Sequence, residues 1–416
     1  MDVVIKKATI IHQGSDFHQQ VRDIHIADGI IKSIAENIDL MGVRLIEGNQ
    51  LHCCIGLCDI GTHSGEPGYE HRESVDSLTK AALAGGYTSL AIFPNNKPVT
   101  QTKADIRYLA EHSQRNGVDI HPIGALSKDI KGVDIAEYID MVSGGAIAIS
   151  DGMKSVSDTG LLGRALHYAS TAGAPIIHHP DDSYLSAGGE MHEGEMSTSL
   201  GMKGVPYIAE LHIVERDILL NEYYKDSALI EHGISSARSV DAIRKAKVNQ
   251  SRLYASVPYM NLIFTDKDLW DFDSNLKVTP VLRSEQDRIA LIEGLKDNTI
   301  DAIISNHTPL DEETKNLEFP YALPGATGLE TCLMACLDQL KNVISVSDLI
   351  YKLTFGPRLL LQLAIPEIRV GAPANLCIFD LNSQYSDQPF VRHSLSNNHP
   401  FAEKQFTSRV VETIKF

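Results

Sequence analysis

Five short segments gather the side chains that could do chemistry. They read DIGTHSGEPG at 59–68, FPNN at 93–96, ISDG at 149–152, IHHPDD at 177–182 and SNHTP at 305–309. Imidazoles and a carboxylate brought together from such segments would suit a zinc site, where the ion acidifies a bound water and polarises a carbonyl. A single histidine reads equally well as a hydrogen-bonded or exposed residue, so only convergence of the five gives them chemical meaning.

Convergence depends on the elements that carry these segments. Apolar strand-like runs at 89–93, 146–149, 174–177 and 302–304 each end in polar residues, and helical patterns at 74–84, 159–171 and 209–223 lie between them. Strands buried on both faces and alternating with helices imply a parallel sheet, and over about 300 residues its closed form is an α/β (β/α)8 barrel. The polar strand ends would then line one face. The first fifty residues read differently, as short alternating strands around the turn Ala27-Asp28-Gly29, and strand texture returns at 375–380 and 408–413. The expected organisation is therefore a barrel over 52–355 inserted in a small β-sandwich made by both termini, 1–51 plus 356–416.

Composition narrows the function classes. With 416 residues, 43% hydrophobic and 22% charged, the chain is an ordinary folded protein, and no apolar run is long enough to span a bilayer. A net charge of −17 disfavours nucleic acid and anionic membrane as partners. Six cysteines without paired CxxC spacing are too few for a disulfide framework, and with no secretory leader in the opening residues the expected location is the cytoplasm. Two further segments invite over-reading. The Gly-, His- and acid-rich stretch 186–195 reads as a mobile loop, and the acidic run 266–273 as a solvated turn anchored by Trp270.

Landmarks in order along residues 52–380 resemble the cyclic amidohydrolases, and within them dihydroorotase. They include Glu66-Pro67-Gly68, AGGYT at 84–88, Phe93-Pro94-Asn95, GMKGVP at 201–206, Ala209-Glu210, KVTPVLR at 277–283 and GATGLET at 325–331. The resemblance implies a distorted (β/α)8 TIM barrel with a terminal β-sandwich. It also implies a zinc-dependent hydrolase interconverting carbamoyl aspartate and dihydroorotate, in which an Asp carries the proton. The sequence departs from that pattern at the chemistry. The family's first motif, His-x-His followed by a substrate-binding Arg, here reads Gly61, His63 and Gly65. The last motif places Asn306 at the general-base position, and an amide cannot serve as a base near neutral pH. Gly233 stands at a further ligand position, next to His232.

The metal ligands that remain by resemblance are His63, Asp151, either His178 or His179 with His179 the better match, and, more weakly, His232, with Asn95 and His307 matching substrate contacts. Zinc is expected at reduced occupancy or absent, and no catalytic residue is expected. The reading that follows is a dihydroorotase-like chain of pyrimidine biosynthesis that is impaired or inactive, serving as a structural partner of aspartate carbamoyltransferase or another protein, and itself a homodimer. The alternative is an active zinc-dependent hydrolase of a small anionic cyclic amide (a dihydroorotase, or of the allantoinase or hydantoinase type). There His63, Asp151 and His179 would hold one ion, and His232 or Asp181 would replace the base.

Overall fold

The computed structural model describes residues 2–249, 252–383, 392–401 and 405–416. Strands β1 (Asp2–Ile11), β2 (Val21–Ala27), β3 (Ile30–Ala35), β4 (Arg44–Ile46) and β5 (Leu51–Ile55) open the chain. Eight parallel strands form the barrel sheet: β6 (Leu57–Thr62), β7 (Tyr87–Ile92), β8 (Asp119–Ala125), β9 (Ala148–Ser150), β10 (Ile176–His178), β13 (Leu229–Glu231), β14 (Leu253–Pro258) and β15 (Ala302–Ile304). The two-residue strands β11 (Met191–His192) and β12 (Gly204–Val205) pair in a loop after β10, and β16 (Asn375–Asp380) and β17 (Arg409–Lys415) close the chain. The α/β barrel expected from the strand-helix alternation is therefore present.

The ends of the chain do fold together. A seven-stranded sheet runs β17-β16-β5-β1-β2-β3, with β4 pairing with β1. One face of it encloses Ile5, Ile24, Ile26, Ile55, Leu376 and Ile378 in a core separate from the barrel's. The Asp28-Gly29 turn joining β2 to β3 has both residues at positive φ, as a tight hairpin requires.

Inside the barrel, alternate strand residues such as Ile60, Ala91, Ile123, Ala148, Ile177, Ile230 and Ala302 pack into a dry plug, while their neighbours face the helices. Helices follow the strands where the sequence periodicity placed them, at Val75–Ala84, Thr159–Ala172 and Tyr207–Tyr223, the first two starting at the side-chain caps Ser74 and Asp158. The seam between β15 and β6 is held by the buried Asp59 carboxylate, which accepts from the Ser305 N–H at 2.7 Å and its hydroxyl at 2.6 Å. Next to it the His63 N–H donates to the His307 carbonyl at 3.0 Å. Among the described residues, no helix is long and apolar enough to cross a membrane.

Candidate active site at the barrel mouth

Phe93, immediately after β7, occupies the centre of the mouth. The His63 imidazole meets its ring edge-on at 5.4 Å between centroids, and His232 meets it from the other side at 5.1 Å. His232 pairs through Nδ1 with the Ser256 hydroxyl at 3.2 Å, and His179 Nδ1 lies 3.1 Å from the His232 carbonyl. The Nε2 atoms of His63 and His232 are buried and have no hydrogen-bond partner. Burial, reinforced by the neighbouring His307, depresses His63 to about 4, and burial beside His179 depresses His232 to about 3. Both rings are neutral across the physiological range.

Of the three glycines at expected site positions, Gly61 and Gly65 sit in space already taken, and Gly233 does not. Gly61 has φ +82, and a Cβ there would lie 2.6 Å from the Phe93 ring and 2.7 Å from His232 Cε1. A Cβ on Gly65 would strike the backbone carbonyls of Tyr69 and Glu73, because the 65–73 loop folds back on it through Tyr69 N–H to Gly65 C=O. Gly233, at φ +76, places its missing Cβ 3.4 Å from Pro280 and 3.6 Å from His179 Nδ1. The resemblance leads one to expect a ligand and an arginine to be lacking at 61 and 65; the structure shows that a side chain at either position would meet occupied space.

The other expected site residues are committed elsewhere. Asp151 accepts the Leu126 and Ser127 N–H groups at 2.9 and 2.8 Å and the Ser127 hydroxyl at 2.5 Å, while burial pushes its carboxyl up against those donors. Asn306, at φ 49, donates its amide to the Thr279 carbonyl at 2.9 Å, and Asn95 donates to the Asp151 carbonyl at 3.2 Å. Asp181 accepts from the Ser186 hydroxyl. His307 takes the Gly328 N–H on Nδ1 at 3.2 Å, so its proton sits on Nε2, 3.5 Å from the buried Glu73 carboxylate. Burial opposes the charge on Glu73, but His307, Ser394 and Ser77 outweigh it and hold the carboxyl below its usual value.

Residues that the sequence offered only as landmarks turn out to be struts. Glu210 accepts from the Ser235 hydroxyl and from the Ser235 and Ser236 N–H groups, and Arg283 bonds Ser235 Oγ at 2.7 Å and reaches His192 and Glu210. With the Lys277–Glu190 ion pair, these contacts pin the 186–195 segment that reads as a mobile loop from composition.

The family's metal pair can be tested against these donors. Gly61 and Gly233 offer none, Asp151 already accepts three hydrogen bonds, and the Asn306 amide is turned to a carbonyl, so the residues present do not fit two ions at the mouth. Among the described residues, the one set of three ligand-type atoms within 4.8 Å of each other is elsewhere, at His178, Asp217 and Glu231 on the helix side of β10 and β13. The sequence offered His178 only as an alternative to His179, and gave no signal for Asp217 or Glu231. It is a proton arrangement: His178 Nε2 accepts the Val156 N–H at 2.9 Å, so Nδ1 carries the proton donated to Asp217 at 2.5 Å and cannot bind a metal. Arg216 holds the other Asp217 oxygen, and burial followed by the Asp217 charge pushes the Glu231 carboxyl well above its ordinary value.

Known proteins agree with the fold and the landmarks. The family described as Dihydro-orotase-like matches residues 52–231. A protein of Ruminiclostridium cellulolyticum named dihydroorotase is 37% identical over 96% of this chain and 94% of its own length. One of the same name from Syntrophus aciditrophicus is 35% identical over 100% and 98%. Among solved structures, the L-hydantoinase (dihydropyrimidinase) of Arthrobacter aurescens superposes with a TM-score of 0.85 at 22% identity, covering 100% of this chain and 94% of that one. That match speaks for the barrel and its accompanying sheet. Identity at this level along nearly the whole of both chains places the protein in the dihydroorotase family of cyclic amidohydrolases.

Proposed function

We propose that this chain is a dihydroorotase-like protein of pyrimidine biosynthesis without dihydroorotase activity, retained in the cytoplasm as a structural partner of aspartate carbamoyltransferase. The observation that carries the reading is Phe93 and His232 filling the space beside Gly61, where an active relative would need a metal ligand. Asn306 supports it, because an amide bonded to Thr279 has no proton-accepting role to play. General acid–base groups typically contribute about 10²–10⁴-fold in rate, and here both that group and the ion's donors are missing. The carboxylates of dihydroorotate and carbamoyl aspartate would also need a cationic clamp in an acidic protein, and the clamp position is Gly65, closed over by its own loop.

The test is a dihydroorotase assay in both directions on zinc-supplemented protein, with metal content measured on the same sample, and sedimentation with and without the transcarbamoylase of the same cell. Turnover at ordinary enzymatic rates would end the proposal. One observation favours the second reading, an active hydrolase with a single zinc. The Nε2 atoms of His63 and His232 are both buried without partners, as two ligands lacking an ion would be. That reading requires about one zinc per chain and chelator-sensitive turnover of some cyclic amide; metal-free, folded and inert protein disposes of it.

A further inference from the structure

The acidic run 266–273 has no role in the mouth, and the structure does not anchor its tryptophan. Trp270, the chain's one tryptophan, is 60% exposed, and Tyr321 is 73% exposed. Phe272, Leu317 and Leu323 are exposed as well. All five stand on two segments tied to each other. The Ser274 hydroxyl donates to the Lys315 carbonyl at 2.9 Å, Lys277 Nζ to the Phe319 carbonyl at 2.8 Å, and Lys315 Nζ to the Lys277 carbonyl at 3.1 Å. Phe272 packs edge-on against Phe319, and does so with φ at 56, a conformation that is costly for a bulky side chain and that a merely solvated turn has no need to hold. A cavity of about 230 Å³ opens between the segments, lined by Ser274, Asn275, Glu312 and Asn316 among others.

Soluble proteins rarely leave several large apolar side chains together in water unless something covers them, and tryptophan and tyrosine are the residues that most often anchor interfaces. The rim indicates what covers this face. Its exposed charges are Asp268, Asp271, Asp273, Glu312, Glu313 and Glu318, against Lys267 alone within the same two segments. A second copy would bring acid against acid, and nucleic acid or an anionic membrane would be repelled. A surface of arginines and lysines around apolar side chains is complementary, with guanidinium groups able to stack on Trp270 and to reach Glu312 in the cavity.

We propose that this aromatic, acid-rimmed face is where a basic patch of a partner protein docks. The assignment rests on the scaffold role above and deepens it: the partner is the transcarbamoylase, and these loops beside the closed mouth are its seat. The test uses the full chain with 5-fluorotryptophan, giving one fluorine resonance at Trp270, mixed with the aspartate carbamoyltransferase of the same cell and followed by fluorine NMR and sedimentation. The expected result is a shifted or broadened resonance and a faster-sedimenting complex. Affinity should fall about thirtyfold or more in Trp270→Ala with Tyr321→Ala, and clearly in Asp271→Lys with Glu318→Lys. Leu219→Ala with Tyr223→Ala, on the exposed side of helix Tyr207–Tyr223, is the control and should bind normally. A complex of undiminished affinity in both patch variants would overturn the docking surface while leaving the scaffold role intact. No complex and no spectral change with the wild-type chain would overturn both. A homodimer that Trp270→Ala with Tyr321→Ala dissolves would assign the face to a second copy and overturn the proposal.

Discussion

Putting a side chain back at residue 61 tests whether the mouth is merely missing a ligand or has been rebuilt without one. Gly61 has φ +82, and its absent Cβ would sit 2.6 Å from the Phe93 ring and 2.7 Å from His232 Cε1. Left-handed backbone costs a non-glycine residue about 1–2 kcal/mol, and overpacking a filled core about 1–3 kcal/mol, so Gly61→Ala should destabilise by about 2–5 kcal/mol. Phe93→Ala alone should cost about 3–5 kcal/mol for the cavity it leaves. In the double variant the part of the steric penalty that Phe93 imposes disappears, while the backbone part and the contact with His232 Cε1 stay, so the two changes should fall short of additivity by about 1 kcal/mol. Urea unfolding of the four proteins at pH 7 gives these terms directly. A Gly61→Ala protein within about 0.5 kcal/mol of wild type would refute the reasoning, because surface-like tolerance at this position is incompatible with a filled mouth. Strict additivity would show that Phe93 is not the group in the way.

Other perturbations test neighbouring parts of the argument. The triple change Gly61→His, Gly65→Arg, Asn306→Asp should not restore dihydroorotase activity in zinc-supplemented assays, since the volumes for the first two side chains are occupied; activity within tenfold of an ordinary dihydroorotase would contradict this. His121, bonded to Ser89, is depressed by burial to about 4 from 6.5. Between those pH values the unfolded chain takes a proton that the folded chain does not, so stability falls on acidification, by about 3 kcal/mol in full for this group. His121→Gln should flatten the loss between pH 6.5 and 4 by up to that amount, and an unchanged slope in urea titrations would show that the ring is not held neutral. Asp217→Ala leaves Arg216 and the His178 N–H facing an empty, dry space and should destabilise by about 3–5 kcal/mol. Glu231→Gln, by contrast, should fall within about 1 kcal/mol of wild type and leave metal content unchanged, because burial already disfavours the charge it removes; loss of a bound ion in that variant would restore the metal reading of the cluster.

What could be read in the sequence was what is local. The 3.6-residue periodicity locates helices within a residue or two, and the Asp28-Gly29 turn marks the hairpin of β2 and β3. The expectation of a missing ligand, clamp and base at Gly61, Gly65 and Asn306 comes from the resemblance to the cyclic amidohydrolases. What surrounds these positions was not legible, since most of it comes from distant segments. Nothing around Phe93 in the sequence says that its ring fills the place beside Gly61, thirty-odd residues earlier, and nothing around Asp151 says that the Ser127 hydroxyl has claimed its carboxylate. Trp270 shows the opposite error. An acidic segment with one aromatic reads as an anchored turn because a large apolar side chain is expected to find a core, yet this one is held out in water.

These misreadings share a physical cause that bears on function. An active mouth must keep ligand nitrogens and carboxylate oxygens free of protein partners so that an ion or substrate can take them, and such free groups carry a desolvation cost that only the bound species offsets. Here Asp151, Asn306 and His307 have each found an internal partner, and Phe93 has removed the void that would have called for one. A mouth whose groups are paired with its own residues has less vacancy to offer an ion or a substrate, as the proposed loss of activity requires. His63, His232 and His307 nonetheless each keep one buried nitrogen without a hydrogen-bond partner, that of His307 standing 3.5 Å from the Glu73 carboxylate, which is why the metal content of the native protein discriminates between the two functional readings more sharply than any stability measurement.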